Sequence, residues 1–105
     1  MILALAALAI YFSLLDAATT YACLRKPGMV ELNPFPRLLF RELGLEAGLA
    51  VALTVRLGFI LLTLVVYRFS PERLLYRVAC KAILALWALV GLAASVNNLL
   101  YLLAF

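Results

Sequence analysis

The chain has 105 residues, of which 69% are hydrophobic and only 13% are charged. A soluble domain has about 45–50% apolar residues, so this composition argues against a soluble globular protein. The formal net charge is +4, but the basic residues are scattered, mostly over span ends and short loops, rather than gathered into one basic face, which argues against a nucleic-acid partner.

Three apolar segments are long enough to cross a bilayer, since a spanning helix needs about 20 mostly apolar residues. We therefore predict an all-α integral membrane protein that forms a single transmembrane domain over residues 1–105. The predicted spans are at about 2–24, 45–67 and 82–105. The first segment is predicted to be a retained span rather than a signal peptide, because no basic residues precede it and Asp16 follows early.

A short amphipathic helix is predicted between the first two spans, over about residues 34–44. Asn33 can cap its N-terminus, and Pro34 suits its first position because the missing N–H would have no partner there. Basic residues alternate with Leu and Phe in this segment, a pattern typical of a helix at the membrane surface. Continuous helix from residue 34 to 69 would reach about 54 Å, beyond the hydrocarbon core of about 30 Å, so Gly44 is the predicted joint.

Polar residues interrupt all three spans at a similar depth. At 1.5 Å per residue, Asp16 lies about 12 Å below the membrane face that carries the first loop, and Arg56 lies about 12–16 Å below it. Asn97 and Asn98 lie about 10–12 Å below the same face. An Arg or Asp near the centre of a span costs about 2.5–3.5 kcal/mol, so both charges are expected to face inward. We predict an ion pair or a water-bridged contact between Asp16 and Arg56.

This pair is predicted to be the centre of a ligand-binding site, with hydroxyl and amide neighbours and two polar residues of the first loop above it. The candidate ligand-binding residues are Asp16, Thr19, Thr20, Glu31, Asn33, Arg56, Asn97 and Asn98. The same groups could instead serve only to join the helices, where a hydrogen bond gains about 0.6 kcal/mol. No catalytic residue is assigned, and no cofactor is expected. The absence of histidine and of a Cys-x-x-Cys motif argues against zinc or iron–sulfur, and the question of another metal stays open.

Two short motifs resemble those of a known family. A D-x-x-T-T motif begins at Asp16 and an E-x-N-P motif begins at Glu31. This D-x-x-T-T … E-x-N-P pattern resembles an uncharacterised family of small prokaryotic multispan membrane proteins. The family also has a basic residue in the second span and an asparagine in the last, which correspond to Arg56 and to Asn97 or Asn98. The resemblance implies a multi-pass protein of a prokaryotic plasma membrane and implies no known activity.

Three classes of function stay open, and we favour the first. In that class the protein binds or transports an ion, a small polar solute or a lipid head group. Three spans are too few to enclose a solute path, so transport requires a homo-oligomer. The expected partners are therefore the lipid bilayer, a second copy of the chain and a small-molecule or lipid ligand whose identity the sequence leaves open. Membrane orientation is also left open, because the two loops carry equal numbers of basic residues.

The two alternatives use the same residues differently. In an assembly or structural subunit, polar groups would set the register of close helix contacts made by small residues, namely Gly44, Gly48, Gly91 and Ser95. In an intramembrane enzyme that acts on lipid, Asp16 and Glu31 could bind a divalent cation with help from Asn33, or Asp16 could act as a base. The serines and Cys23 have no evident general base in the sequence, so we favour a role other than catalysis.

Overall fold

The computed structural model describes residues 1–25, 34–69 and 73–104, which form four helices. They are α1 (Ile2–Leu24), α2 (Pro34–Leu43), α3 (Leu45–Phe69) and α4 (Leu74–Ala104). Helices α1, α3 and α4, with 23, 25 and 31 residues, are long and apolar enough to cross a membrane, whereas α2 has 10 residues. The structure confirms the all-α architecture with three spans and a short helix after the first loop.

The last helix extends beyond the span that is predicted within it. Helix α4 begins at Leu74, and its 31 residues correspond to about 46 Å at 1.5 Å per residue, more than the hydrocarbon core of about 30 Å. Its first turns contain Arg77, whose Nη2 donates a hydrogen bond to the Tyr67 hydroxyl at 2.7 Å. This bond joins the start of α4 to the end of α3, on the side of the second loop.

Among the three long helices, α1 has the most extensive contacts with the other two. It contacts both α3 and α4, and its interface with α4 is the largest, whereas α3 and α4 meet over a smaller area. The buried core is small and consists of Ala6, Ala9, Ile60, Leu84 and Ala88. Most other large apolar side chains are exposed on the outer surface, which is expected of helices that face acyl chains.

Small residues let the helices approach each other within one chain. A Cβ atom added at Gly91 would lie 2.9 Å from the carbonyl carbon of Phe12 on α1, and Ser95 one turn later is 1% exposed. A Cβ atom added at Gly48 would lie 2.7 Å from Phe40 Cδ1 on α2. Gly48, Gly91 and Ser95 are candidates from the sequence for contacts in an assembly, but in the structure all three are packed inside the chain.

The predicted joint at Gly44 separates α2 from α3. Gly44 has φ +86°, in the left-handed region that glycine adopts without steric cost. Its N–H donates to the Phe40 carbonyl at 2.9 Å, and its carbonyl accepts from the Gly48 N–H at 2.9 Å. Gly44 therefore ends one helix and begins the next, so that α2 folds against the first turns of α3.

Gly44→Ala is expected to destabilise the protein by about 1–2 kcal/mol, the cost of placing a residue with a Cβ atom in the left-handed region. The measurement is the thermal unfolding midpoint in detergent micelles. The matched control is Gly58→Ala, because Gly58 lies within α3 and an added Cβ would have no atom within 4 Å. Alanine at Gly58 should raise stability by about 0.5–1 kcal/mol. Equal unfolding midpoints for Gly44→Ala and Gly58→Ala would contradict the conclusion that the backbone at residue 44 requires glycine.

Candidate functional site

The centre of the candidate site is an ion pair between α1 and α3. Nη1 of Arg56 lies 2.7 Å from Oδ2 of Asp16, and the two side chains are 15% and 18% exposed. Hydrogen bonds between ionised groups at this distance are among the strongest in proteins. Each charge thus neutralises the other at a depth where either alone would be costly.

The hydroxyl neighbours of the pair come from the turn of α1 that follows Asp16. Residues four apart share one face of a helix, and the Thr20 hydroxyl accordingly donates to Asp16 Oδ1 at 3.2 Å. The Thr19 hydroxyl is buried and donates to the Leu15 carbonyl at 2.9 Å. Donation to the backbone leaves its oxygen lone pairs available to an amide from another helix.

That amide belongs to Asn98 on α4. Its Nδ2 lies 3.0 Å from Thr19 Oγ1, 3.0 Å from Thr20 Oγ1 and 3.4 Å from Asp16 Oδ1, so its two N–H groups are shared among three acceptors. The Cys23 thiol donates to the Asn98 backbone carbonyl at 3.3 Å and adds a second link between α1 and α4. We refer to the five side chains that meet here as the polar cluster: Asp16, Thr19, Thr20, Arg56 and Asn98.

An aromatic pair adjoins the polar cluster. The guanidinium carbon of Arg56 lies 5.2 Å from the centroid of the Trp87 ring, a cation–π contact. Trp87 also stacks on Phe59 of α3, with ring centroids 6.5 Å apart and an interplanar angle of 21°. Trp87 is not among the candidate residues from the sequence. The available signal was its spacing from Asn98, because residues eleven positions apart lie on nearly the same face of a helix.

The polar cluster borders a cavity of about 740 Å³. Its lining residues come from all four helices. Its polar lining residues are Ser13, Asp16, Thr20, Arg56, Asn97 and Asn98. Cavities of about 300–1,000 Å³ are typical of small-molecule sites. The cavity is therefore large enough for a ligand, and the ion pair forms part of its wall.

The candidate residues from the sequence differ in where the structure places them. Asp16, Thr19, Thr20, Arg56 and Asn98 come together in the polar cluster, as the distances above show. Asn98 supplies the amide contact to Asp16, whereas Asn97 is exposed and only lines the cavity. Glu31 and Asn33 lie outside the described residues. Within the described parts of the chain, no three His, Cys, Asp or Glu side chains gather to hold a metal ion.

A second polar network lies at the end of α1 near the first loop, and none of its residues is among the candidates from the sequence. The Tyr21 hydroxyl donates to Glu46 Oε1 on α3 at 3.1 Å and accepts from Arg25 Nη1 at 3.1 Å. Glu46 lies in the first turn of α3, where a carboxylate also interacts favourably with the helix dipole. The network is exposed, and it joins the end of α1 to the corner between α2 and α3.

Comparison with known proteins gives one match. The chain matches no curated protein and no solved structure. A family model matches residues 6–104, a range that contains the whole polar cluster. The expectation of an uncharacterised family is thus confirmed, while the D-x-x-T-T … E-x-N-P pattern and the prokaryotic origin of its members stay predictions. Because the match covers nearly all of the chain, this protein belongs to the family described as "Domain of unknown function (DUF5658)".

Proposed function

We propose that this protein binds a small molecule inside the membrane and holds the polar part of that molecule at the polar cluster. The observation that carries the proposal is that the cluster borders a cavity of about 740 Å³. Polar groups whose only role is to join helices need no space beside them, because helix contacts can enclose them completely. A charged pair next to a cavity of this size therefore supports a ligand, whether an ion, a small polar solute or a lipid head group.

Transport would extend this binding function and would require a homo-oligomer. Transporters usually place their site between repeated bundles of helices, and three spans supply only one such bundle. A second copy of the chain would have to complete the path. We accordingly propose a homo-oligomer in a prokaryotic plasma membrane, the location that the family resemblance implies, with the bilayer as its surroundings and no nucleic-acid partner.

The contacts favour binding over the two alternative functions. The small residues considered for assembly, Gly48 and Gly91, are already in close contact with Phe40 and Phe12 of the same chain. For catalysis, the Ser13 hydroxyl is buried and donates to the Ala9 carbonyl at 2.7 Å, so it is engaged with its own helix. Asp16 is held in an ion pair with Arg56, and this pairing argues against Asp16 as a general base.

A binding function can be tested with three soluble probes that represent the three ligand classes. These are sodium ion, inorganic phosphate and a short-chain phosphatidylglycerol, each added to the purified protein in detergent. We expect at least one of them to raise the thermal unfolding midpoint. A ligand at one hundred times its Kd adds about 2.7 kcal/mol to the free energy of unfolding, which is readily measured.

The control is a pair of neighbouring alanines on α4. Ala94 lines the cavity and Ala93 is exposed on the same helix. Ala94→Phe should fill part of the cavity and abolish the rise in midpoint, whereas Ala93→Phe should leave the rise unchanged. The proposal fails if none of the three probes stabilises the wild-type protein, or if Ala94→Phe responds as strongly as the wild type does.

A further inference from the structure

The hydrogen-bonding groups of the polar cluster have an excess of donors. The Arg56 guanidinium has five N–H groups, and its Nε is buried and makes no hydrogen bond. The Asp16 carboxylate, in contrast, accepts from three donors on Arg56, Thr20 and Asn98. A carboxylate has about four lone-pair positions, so little of its capacity is left for a cation. A ligand that binds beside the cluster is therefore matched better by acceptor oxygens than by a positive charge.

The accessible part of Arg56 is further restricted by Trp87. The indole ring covers one face of the guanidinium, with the guanidinium carbon 5.2 Å from the ring centroid. Arginine donates in the plane of its guanidinium group, and its two-pronged geometry matches the oxygens of a phosphate or carboxylate. The edge of the guanidinium that Asp16 does not occupy is thus suited to a pair of acceptor oxygens.

The walls next to the polar cluster are apolar, and they belong to the two long helices that contact each other least. Val55 and Phe59 on α3 and Val90 on α4 line the cavity, yet they are 39%, 53% and 53% exposed. These exposed lining side chains and the small interface between α3 and α4 indicate an opening between the two helices. In a bilayer, an opening lined by such side chains faces acyl chains rather than water.

The length of the cavity also fits a molecule with a polar head and an apolar chain. Its lining residues on α3 run from Leu49 to Phe59, about 15 Å along the helix, or roughly half of the hydrocarbon core. Helix α2 adds further apolar lining with Phe35 and Phe40. A free inorganic ion would leave nearly all of this apolar volume empty.

We propose that the ligand of this cavity is a phospholipid, whose phosphate oxygens accept hydrogen bonds from Arg56 while one acyl chain leaves between α3 and α4. The proposal rests on the binding function proposed above and names the ligand class of the same site. The lipid enters from the bilayer, and the Asp16–Arg56 pair stays intact while the phosphate binds along the free edge of the guanidinium.

The position of Trp87 provides a direct assay. It is the only tryptophan of the chain and it lines the cavity, so a bromine atom on a bound acyl chain should quench its fluorescence. Protein in detergent micelles is titrated with a phosphatidylglycerol whose acyl chains are brominated. A diacylglycerol with the same brominated chains and no phosphate serves as the matched probe. We expect saturable quenching by the phospholipid and only weak, non-saturating quenching by the diacylglycerol.

Three variants and two competitors complete the test. Arg56→Gln should weaken saturable quenching by roughly tenfold, the factor for losing one charge-assisted hydrogen bond. Because that variant is also expected to be less stable, Ala94→Phe provides a second loss of binding with the ion pair intact, and Ala93→Phe should bind as the wild type does. Unbrominated phosphatidylglycerol should reverse the quenching, and inorganic phosphate at the same concentration should not.

The outcomes separate this inference from the binding function itself. Saturable quenching by the diacylglycerol, or equal quenching in Ala94→Phe and Ala93→Phe, overturns the phospholipid assignment. If inorganic phosphate displaces the brominated lipid and alone raises the unfolding midpoint, the site binds phosphate without a chain; the binding function then stands and the lipid assignment is wrong. If sodium is the only stabilising probe, the ligand is a cation and the donor argument is wrong.

Discussion

Asp16→Asn is expected to lower the free energy of unfolding by about 3 kcal/mol, the low end of the range for breaking a buried ion pair by removing one partner. The variant keeps the size of the side chain, so it isolates the loss of charge. Arg56 would then remain as a cation without its partner. Its side chain is 15% exposed, so solvent relieves only part of this cost.

The measurement is the thermal unfolding midpoint in micelles, with Arg41→Gln as the matched control. Arg41 pairs with Glu42 at 3.5 Å, but both side chains are largely exposed, and such pairs contribute about 0–1 kcal/mol. The double variant Asp16→Leu with Arg56→Leu should recover much of the stability that the single change removes, because no buried charge is left unpaired. A loss for Asp16→Asn near 0.6 kcal/mol would mean that the pair contributes no more than an ordinary interhelical hydrogen bond.

Gly91→Ala is expected to destabilise the protein by about 1–3 kcal/mol, the usual cost of overfilling a packed interface. The added Cβ would lie 2.9 Å from the carbonyl carbon and 2.9 Å from the Cβ of Phe12. Backbone atoms of α1 cannot move aside as the end of a flexible side chain can. The two helices must therefore separate slightly, and this also moves Asn98 away from the threonines of α1.

Gly58→Ala again provides the control, because both changes add one methyl group to the interior of a long helix and only Gly91 faces another helix. The midpoint should fall for Gly91→Ala and rise slightly for Gly58→Ala. The separation of the two helices can be followed independently through the buried Cys23 thiol, since it contacts the Asn98 carbonyl. Faster thiol labelling should accompany the fall in midpoint for Gly91→Ala. Unchanged stability and labelling would mean that α1 and α4 are not in close contact at Gly91.

Much of the polar cluster is predictable because a helix has a constant rise per residue. Counting residues from the first loop places Asp16, Arg56 and the two asparagines at one depth, whatever the packing of the helices. Counting cannot choose between Asn97 and Asn98, which differ by about 100° around the helix axis. The choice follows from which face of α4 contacts α1. Asn98 continues the buried stripe of Gly91 and Ser95 at a heptad spacing, and this stripe was a usable signal in the sequence.

The sequence by itself determines that the protein has three apolar helices, a joint at Gly44 and charges that must face inward, because these properties depend on length, composition and local backbone geometry. Only the tertiary structure decides that Trp87 packs against Arg56 and that α3 stands far enough from α4 to leave a cavity. Both depend on how each helix is rotated and how closely it approaches its neighbours. Those two quantities result from side-chain packing between segments distant in the chain. Periodicity along one helix indicates which of its faces is buried, but not which helix that face meets or how closely.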